Sequence, residues 1–371
     1  MSKAAELANL IGNINAGGGG VNRNVIINGA MNVAQRGTSF TSVGASSTQY
    51  TLDRFMWITG NSAGRLTATQ DSSAPEGFAN SLKFACTTAD TSIAAGEYGI
   101  IQQPIEGQNL QHFSKGTSNA KPYAVSFYVK GNASATYVCE LWDNDTSGNR
   151  QISKTFNVTT DWTRVELSFP ADTTGALDDD SNSSFLFNIW LHGGSNYTGG
   201  TLNSSAWASL TSANRAVGIS SFFDSTDRTF FLTGVQLEVG QNPTSFEHEP
   251  FESTLDKCYR YFQSHISGDL YTGFALGTGQ TTGRIRSEGY QYFTTMRSAP
   301  SLTVSDAGHF SMRTATNSVI GEASSISLSR PGTQFTSILF DRSSGGITEG
   351  TTNAIVADGT ASATLNFDSE L

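Results

Sequence analysis

Tyr123-Ala-Val-Ser-Phe-Tyr-Val-Lys130 decides the fold class. Tyr123, Val125, Phe127 and Val129 alternate with mostly smaller or polar residues, the period of two that turns every second side chain to one face of a strand. Outward from there, Tyr137 to Trp142 and Lys154 to Val158 keep the pattern, and Trp162 to Phe169 repeats it on Val165, Leu167 and Phe169. Phe185 to Leu191 and Thr229 to Val239 are longer runs of the same kind, separated by loops of Gly, Ser, Asn and Asp. Many strands, turn-rich connections and almost no helical period predict an all-β protein whose residues 21–250 form an antiparallel sandwich.

Helical spacing occurs twice. Ala4, Leu7, Ala8, Leu10, Ile11 and Ile14 mark one side of a short N-terminal helix, which the run Gly17 to Gly20 ends. A helix this short is marginal alone, so residues 1–20 read as an anchor and linker, with Leu7, Leu10, Ile11 and Ile14 facing a partner. Ser253-Thr-Leu-Asp256 has capping-box spacing with Asp in place of Glu, and Leu255, Cys258, Tyr259 and Phe262 follow at helical intervals. They predict a connector helix over 251–265, whose residues Leu255, Tyr259 and Phe262 form an oligomer neck. Strand patterns return beyond it, at Leu270 to Ala275, Arg284 to Phe293, Ser301 to Val304, Phe335 to Phe340 and Ala361 to Phe367. Residues 266–371 therefore form a second, smaller β domain at the tip.

Composition excludes several classes. The 371 residues hold 22 Lys and Arg against 32 Asp and Glu, a net charge of −10, the wrong sign for neutralising nucleic-acid phosphates. No stretch approaches the roughly 18–20 apolar residues of a membrane span, so no membrane insertion is expected. The N-terminus also lacks the apolar run of a signal peptide, and the chain is expected to be made in a cytoplasm without one. Cys86, Cys139 and Cys258 are too few and too widely spaced for a disulfide framework or a metal knuckle, and read as buried small hydrophobes.

Three stretches resemble bacteriophage virion proteins of the tail-fibre and receptor-binding type. The first is Asn24-Val-Ile-Ile-Asn-Gly29 with Met31-Asn-Val-Ala-Gln-Arg-Gly37 and Tyr50-Thr-Leu-Asp-Arg-Phe55. The second is Phe231-Leu-Thr-Gly-Val-Gln-Leu-Glu-Val-Gly240 with Phe246-Glu-His248 and Cys258-Tyr-Arg-Tyr-Phe262; a weaker third is Met296-Arg-Ser-Ala-Pro300. Residues 21–250 also look like the jelly-roll carbohydrate-binding modules. The resemblance implies a virion appendage, tail or capsid, that joins another virion protein through its N-terminus and reaches a host surface glycan. A homotrimer is the expected state, because threefold closure buries strand edges that would otherwise aggregate.

Sugars are held by aromatic faces flanked by amides, carboxylates and hydroxyls. Trp190, His192, Tyr197 and Trp207, in a Gly/Ser/Asn-rich stretch, are the glycan candidates, although Trp190 is equally readable as packing under a loop. Trp57, Trp142 and Trp162 read as packing residues. No cofactor is expected beyond a structural calcium, for which Asp178, Asp179 and Asp180 are the candidate ligands. Gly-x-Ser-x-Gly, His-Glu-x-x-His and Cys-x-x-Cys are all absent, which sets a non-enzymatic protein ahead of a polysaccharide depolymerase. A purely structural fibre or capsid decoration is the other alternative.

Overall fold

In the computed structural model, which describes residues 2–15, 22–44, 48–145 and 149–371, the chain divides into two units, Met1–Thr254 with Leu371 and Leu255–Glu370. The first unit contains β1 (Ser39–Gly44), β2 (Thr48–Tyr50), β3 (Met56–Gly60), β4 (Arg65–Asp71), β5 (Ser81–Thr88), β6 (Tyr98–Glu106) and β7 (Tyr123–Gly131). There follow β8 (Ala135–Asp143), β9 (Arg150–Val158), β10 (Thr163–Phe169), β11 (Ser183–Gly193), β12 (Ala208–Ser209) and β13 (Thr229–Val239). They pair antiparallel in two sheets, of order β1-β4-β5-β13-β7-β10 and β12-β9-β8-β11-β6-β3-β2. The chain crosses repeatedly between the sheets, and the product is a jelly-roll β-sandwich.

The alternation at Tyr123 fixes its core. On β10, Val165, Leu167 and Phe169 lie opposite Phe127, Val125 and Tyr123; on β13, Leu232, Leu237 and Val239 lie opposite Val129, Val125 and Tyr123. The facing sheet supplies Tyr137, Cys139 and Leu141 from β8 and Phe185, Phe187 and Ile189 from β11, all buried. Tyr123 is stacked between Phe113 and Phe185, with ring centroids 4.5 and 5.6 Å away. Each such side chain contributes about 1.5–3 kcal/mol by leaving water, which is why the register is strongly specified.

The two main motifs of the virion resemblance, some two hundred residues apart in sequence, meet in space. Val25 N–H donates to Leu237 O (3.0 Å) and Val235 N–H to Gly29 O (2.9 Å), so the 24–29 segment runs along β13. Asn24 completes the join. Its Oδ1 accepts from the amides of Ile26 and Leu237, both at 3.0 Å, and its Nδ2 donates to Val235 O at 3.1 Å. Two glycines make the approach feasible: Gly234 adopts φ +63° at the β13 bulge, and a Cβ on Gly29 would sit 2.1 Å from Val235 O.

The second unit contains β14 (Phe262–Ile266), β15 (Gly273–Thr281), β16 (Arg284–Gln291), β17 (Ser301–Val304) and β18 (Phe310–Thr314). It continues through β19 (Val319–Glu322), β20 (Ser325–Ser329), β21 (Phe335–Asp341), β22 (Thr352–Ala357) and β23 (Thr364–Asp368). They form a sheet of order β14-β23-β17 and another of order β19-β18-β22-β15-β16-β21-β20, over a core that includes Ile285, Phe310, Met312, Phe340, Ile355 and Phe367.

Helix α1 (Lys3–Asn15) forms where expected, and its Leu7 and Ile11 are exposed while Leu10 is half-buried. The side chain of Ile14 and the linker at 16–21 lie outside the described residues. A single turn, α2 (Ser195–Thr198), caps β11, and α3 (Phe251–Tyr259) is the connector helix. That connector is shorter than the predicted 251–265. Tyr261 N–H turns back to Cys258 O at 2.9 Å, and Gln263 Nε2 occupies the Tyr259 carbonyl at 3.0 Å, so the chain leaves helical geometry. Phe262 opens β14 opposite Asp368 and is 5% exposed, while Tyr259 packs its ring 4.9 Å from Phe293. Leu255, Tyr259 and Phe262 therefore do not form one helical face, and the neck expectation fails at Phe262. Among the described residues, no helix is long and apolar enough to cross a membrane.

Candidate functional site

Because Phe187 and Ile189 face the core, Asn188 and Trp190 must face outward, with Glu140 and Val138 beside them on β8. Residues 194–221 cover this outer face. Trp190 forms a buried cluster with Ile100, Val138 and Ala216, against which Tyr98, Tyr197, Leu202 and Ile219 pack. Arg215 enters from the covering segment, its guanidinium 4.4 Å from the Trp142 ring centroid and 4.7 Å from that of Trp190. It donates to both oxygens of Glu140, each at 2.7 Å. Glu140 Oε2 also accepts from Trp190 Nε1 and Asn188 Nδ2, both at 2.9 Å, and Asn188 Oδ1 accepts from Gln102 at 2.8 Å. Both oxygens of Glu140 are occupied and the carboxylate is closed to solvent, so the network organises the sheet instead of receiving a ligand, although the neighbouring Trp142 indole N–H is buried without a hydrogen-bond partner among the described residues.

The glycan candidates fare accordingly. Trp190 takes the packing role, under the loop, with its indole N–H already used. Tyr197 is half-buried on α2 with its ring 5.4 Å from Tyr98; burial and the neighbouring Tyr98 push its phenol pKa up. His192 does not follow Trp190 outward, because a register shift between the two sets it opposite Gly99, next to the core ring of Phe223 at 5.3 Å. Its Nδ1 lies 2.8 Å from Ser221 Oγ and its Nε2 3.3 Å from Glu97 Oε2. Burial lowers its pKa, against the opposing pull of Glu97 and Asp90.

Trp207 is the clearest correction. The two-residue β12 pins its loop to β9, which drops the indole onto Tyr123 and Phe185 at 5.4 and 5.9 Å, with Nε1 donating to Pro170 O at 2.8 Å. Only 7% of the residue is exposed. Trp207→Ala is accordingly expected to lower the unfolding free energy by about 3–5 kcal/mol, read as an earlier midpoint in urea. None of these four residues offers an open aromatic platform.

Asp178 and Asp179 are exposed and Asp180 half-buried. The Asp178 amide donates to Asp145 Oδ2 at 2.8 Å and Asp180 Oδ1 caps the Asn182 amide at 2.9 Å. They are the polar ends of a hydrogen-bonded loop, and the calcium expectation finds no converging ligand set there among the described residues. Nearby, Lys115 is wholly buried between Asp143 and Asp172, and Arg150 also pairs with Asp172, at 2.7 Å. Burial would raise the Asp172 pKa, but these two cations and the Thr174 amide hold it below the usual range.

Open concavities that the sequence did not point to lie on both units: clefts of about 350 Å³ by Gln111 and Thr117 and about 380 Å³ by Pro122 and Gln241 on the first, and a more hydroxyl-rich one on the second. This last cleft, of about 400 Å³, is lined by Thr314, Thr316, Thr348, Thr351, Thr352 and Asn353 over an apolar floor that includes Ala315 and Ile320. Asn353 Nδ2 donates to Thr351 O at 2.9 Å and Thr351 Oγ1 to Thr348 O at 2.6 Å, which fixes the wall. On the opposite face of the sheet from Thr314 and Asn353, Arg313 lies 5.6 Å over the ring of Tyr271, which is 62% exposed. Beside it in register run Ala354 and Leu276, the latter 68% exposed. Short strands of small or mixed residues, such as β19 (Val319-Ile-Gly-Glu322) and β22 (Thr352-Asn-Ala-Ile-Val-Ala357), carry too weak an alternation to announce this surface.

No protein-family model matches the sequence, and no curated protein matches it. Among solved structures, a family 4 carbohydrate-binding module aligns with 50% of this chain and 86% of its own, at 14% identity and a TM-score of 0.27. A family 11 carbohydrate-binding module from Clostridium thermocellum, in complex with a β-1,3-1,4-mixed-linked tetrasaccharide, aligns with 57% of this chain and 97% of its own (11% identity, TM-score 0.27). The enzymatically active domain of bacteriophage CBA120 tailspike protein 4 aligns with 58% of this chain and 21% of its own (10% identity, TM-score 0.28). At these scores the likenesses carry no argument about activity, and the assignment of this chain to the jelly-roll β-sandwiches rests on its own strand order.

Proposed function

We propose that this protein is a non-enzymatic appendage subunit of a bacteriophage virion that attaches to a host surface glycan through its second unit. The observation that carries the reading is the hydroxyl-lined cleft of about 400 Å³ in the second unit. Exposed threonine hydroxyls suit sugar hydroxyls, while Ile320 and Ala315 suit the apolar face of a pyranose. Helix α1, with Leu7 and Ile11 exposed, is the element that would join a tail or capsid protein. Among the described residues, seven large apolar side chains of the second unit are exposed, namely Ile266, Leu270, Tyr271, Leu276, Phe293, Val319 and Phe335, and closure of three copies would cover part of them.

Of two other readings, one loses support and one keeps it. A depolymerase needs paired carboxyls open to a polymer, whereas Asp143 and Asp172 enclose Lys115, and Asp90 and Glu97 are buried. A purely structural role draws support from the packing of Trp190 and Trp207, which takes these two candidates of the sandwich out of reach of a ligand. The test is a glycan array read with labelled full-length protein. Thr348→Trp and Thr316→Trp, both at exposed positions lining the cleft, are expected to weaken the strongest signal at least ~10-fold, about 1.4 kcal/mol, with the melting temperature unchanged. Wild-type binding by both variants would overturn the proposal and favour the structural role.

A further inference from the structure

Several buried carboxylates of the sandwich are matched with Lys or Arg. Glu140 has Arg215, Asp143 and Asp172 share Lys115, and Glu238 has Arg23 at 3.3 Å. Asp90 and Glu97, on the connection between β5 and β6, differ: among the described residues, the group that joins them is the imidazole of His192. Their exposures are 6%, 5% and 0%. Two buried carboxylates facing one imidazole leave a negative charge that desolvation penalises heavily.

The three side chains each offer one ligand atom, and these atoms all lie within 4.8 Å of one another. The His192 Nε2 to Glu97 Oε2 separation of 3.3 Å is close to that of neighbouring ligands at a tetrahedral ion with bonds of about 2.0–2.1 Å. The outer contacts are also those of a metal site. Asp90 Oδ2 is oriented by Ser62 Oγ at 2.9 Å and the Ala63 amide at 2.8 Å, while His192 Nδ1 is held by Ser221 Oγ at 2.8 Å. Gly99 leaves the room that this requires, since a Cβ there would lie 3.3 Å from His192 Cβ and 2.6 Å from the Trp57 ring.

We propose that Asp90, Glu97 and His192 form a structural binding site for a divalent transition-metal ion, tying the β5–β6 connection to the end of β11. One imidazole with two carboxylates suits zinc and disfavours calcium, which takes an all-oxygen shell. The site is independent of the glycan cleft.

The experiment uses untagged full-length protein, stripped with chelator and titrated with zinc chloride by calorimetry and by melting, with calcium chloride as control. Wild type is expected to bind one zinc per chain and to melt several degrees higher with it, whereas calcium has no effect. His192→Gln, which retains a hydrogen-bonding side chain, is expected to lose at least ~100-fold in zinc affinity. Where His192→Gln does not fold, Glu97→Gln gives the same reading, and the intensity of cobalt(II) absorption in the visible reports whether the ion is held in a low-coordinate protein site. Failure of wild type to bind zinc, or equal binding by the folded variant, would overturn the proposal and leave a hydrogen-bonded triad only.

Discussion

Arg215→Ala is expected to destabilise the sandwich by about 3–5 kcal/mol, because it strands the Glu140 carboxylate in a site from which water is excluded. For a domain of this size that loss corresponds to a melting temperature lower by roughly 10 °C. The cost lies in the unpaired charge more than in the lost pair. The double variant Glu140→Gln/Arg215→Met should therefore be more stable than Arg215→Ala alone. In it the new amide oxygen at position 140 would still accept from Trp190 Nε1, and the methionine would fill the slot between the Trp142 and Trp190 rings. Chemical denaturation of the three proteins measures this; a single-variant loss under about 1 kcal/mol would mean that the outer face is open to water.

Gly29→Ala should be at least as damaging. The added methyl would stand 2.1 Å from Val235 O, a backbone atom that cannot swing aside, and relieving it would pull the 24–29 segment from β13. The expected cost is about 3 kcal/mol or more, at or beyond the upper end of ordinary overpacking. Gly193→Ala provides the comparison, since its nearest neighbour would be 3.5 Å from the new Cβ, and a change within about 0.5 kcal/mol is expected. Urea midpoints for the pair separate a close-approach glycine from an incidental one.

These two sites show what was legible beforehand. Alternation of the large apolar residues in β7 and β10 announced the sandwich, because every second side chain of these strands enters its core, whereas β11 is buried on both faces. Parity along β11 even placed Trp190 on the face opposite Phe187. Alternation does not report what covers the outer face, so Trp190 read as available when residues 194–221 had closed over the sheet, and it says nothing of the loop tryptophan Trp207, which turns into the core against Tyr123 and Phe185. His192 escaped for a different reason: a bulge at the end of β11 resets the parity that the pattern depends on. Phe262 fits helical spacing from Leu255, but the spacing carries no sign of Gln263 ending the helix. Asp90 and Glu97 drew no notice, because they join His192 only through contacts more than ninety residues apart in sequence.

The central claim is that glycan contact belongs to the cleft of the second unit and not to the covered face of the sandwich. Hydrogen–deuterium exchange of the full-length protein, with and without the oligosaccharide that gives the strongest array signal, tests it most directly. The account predicts slowed exchange at residues 314–320 and 346–353, with no change at 138–142, 188–192 or 197–216. Protection confined to those last three segments, with the cleft unaffected, would contradict it.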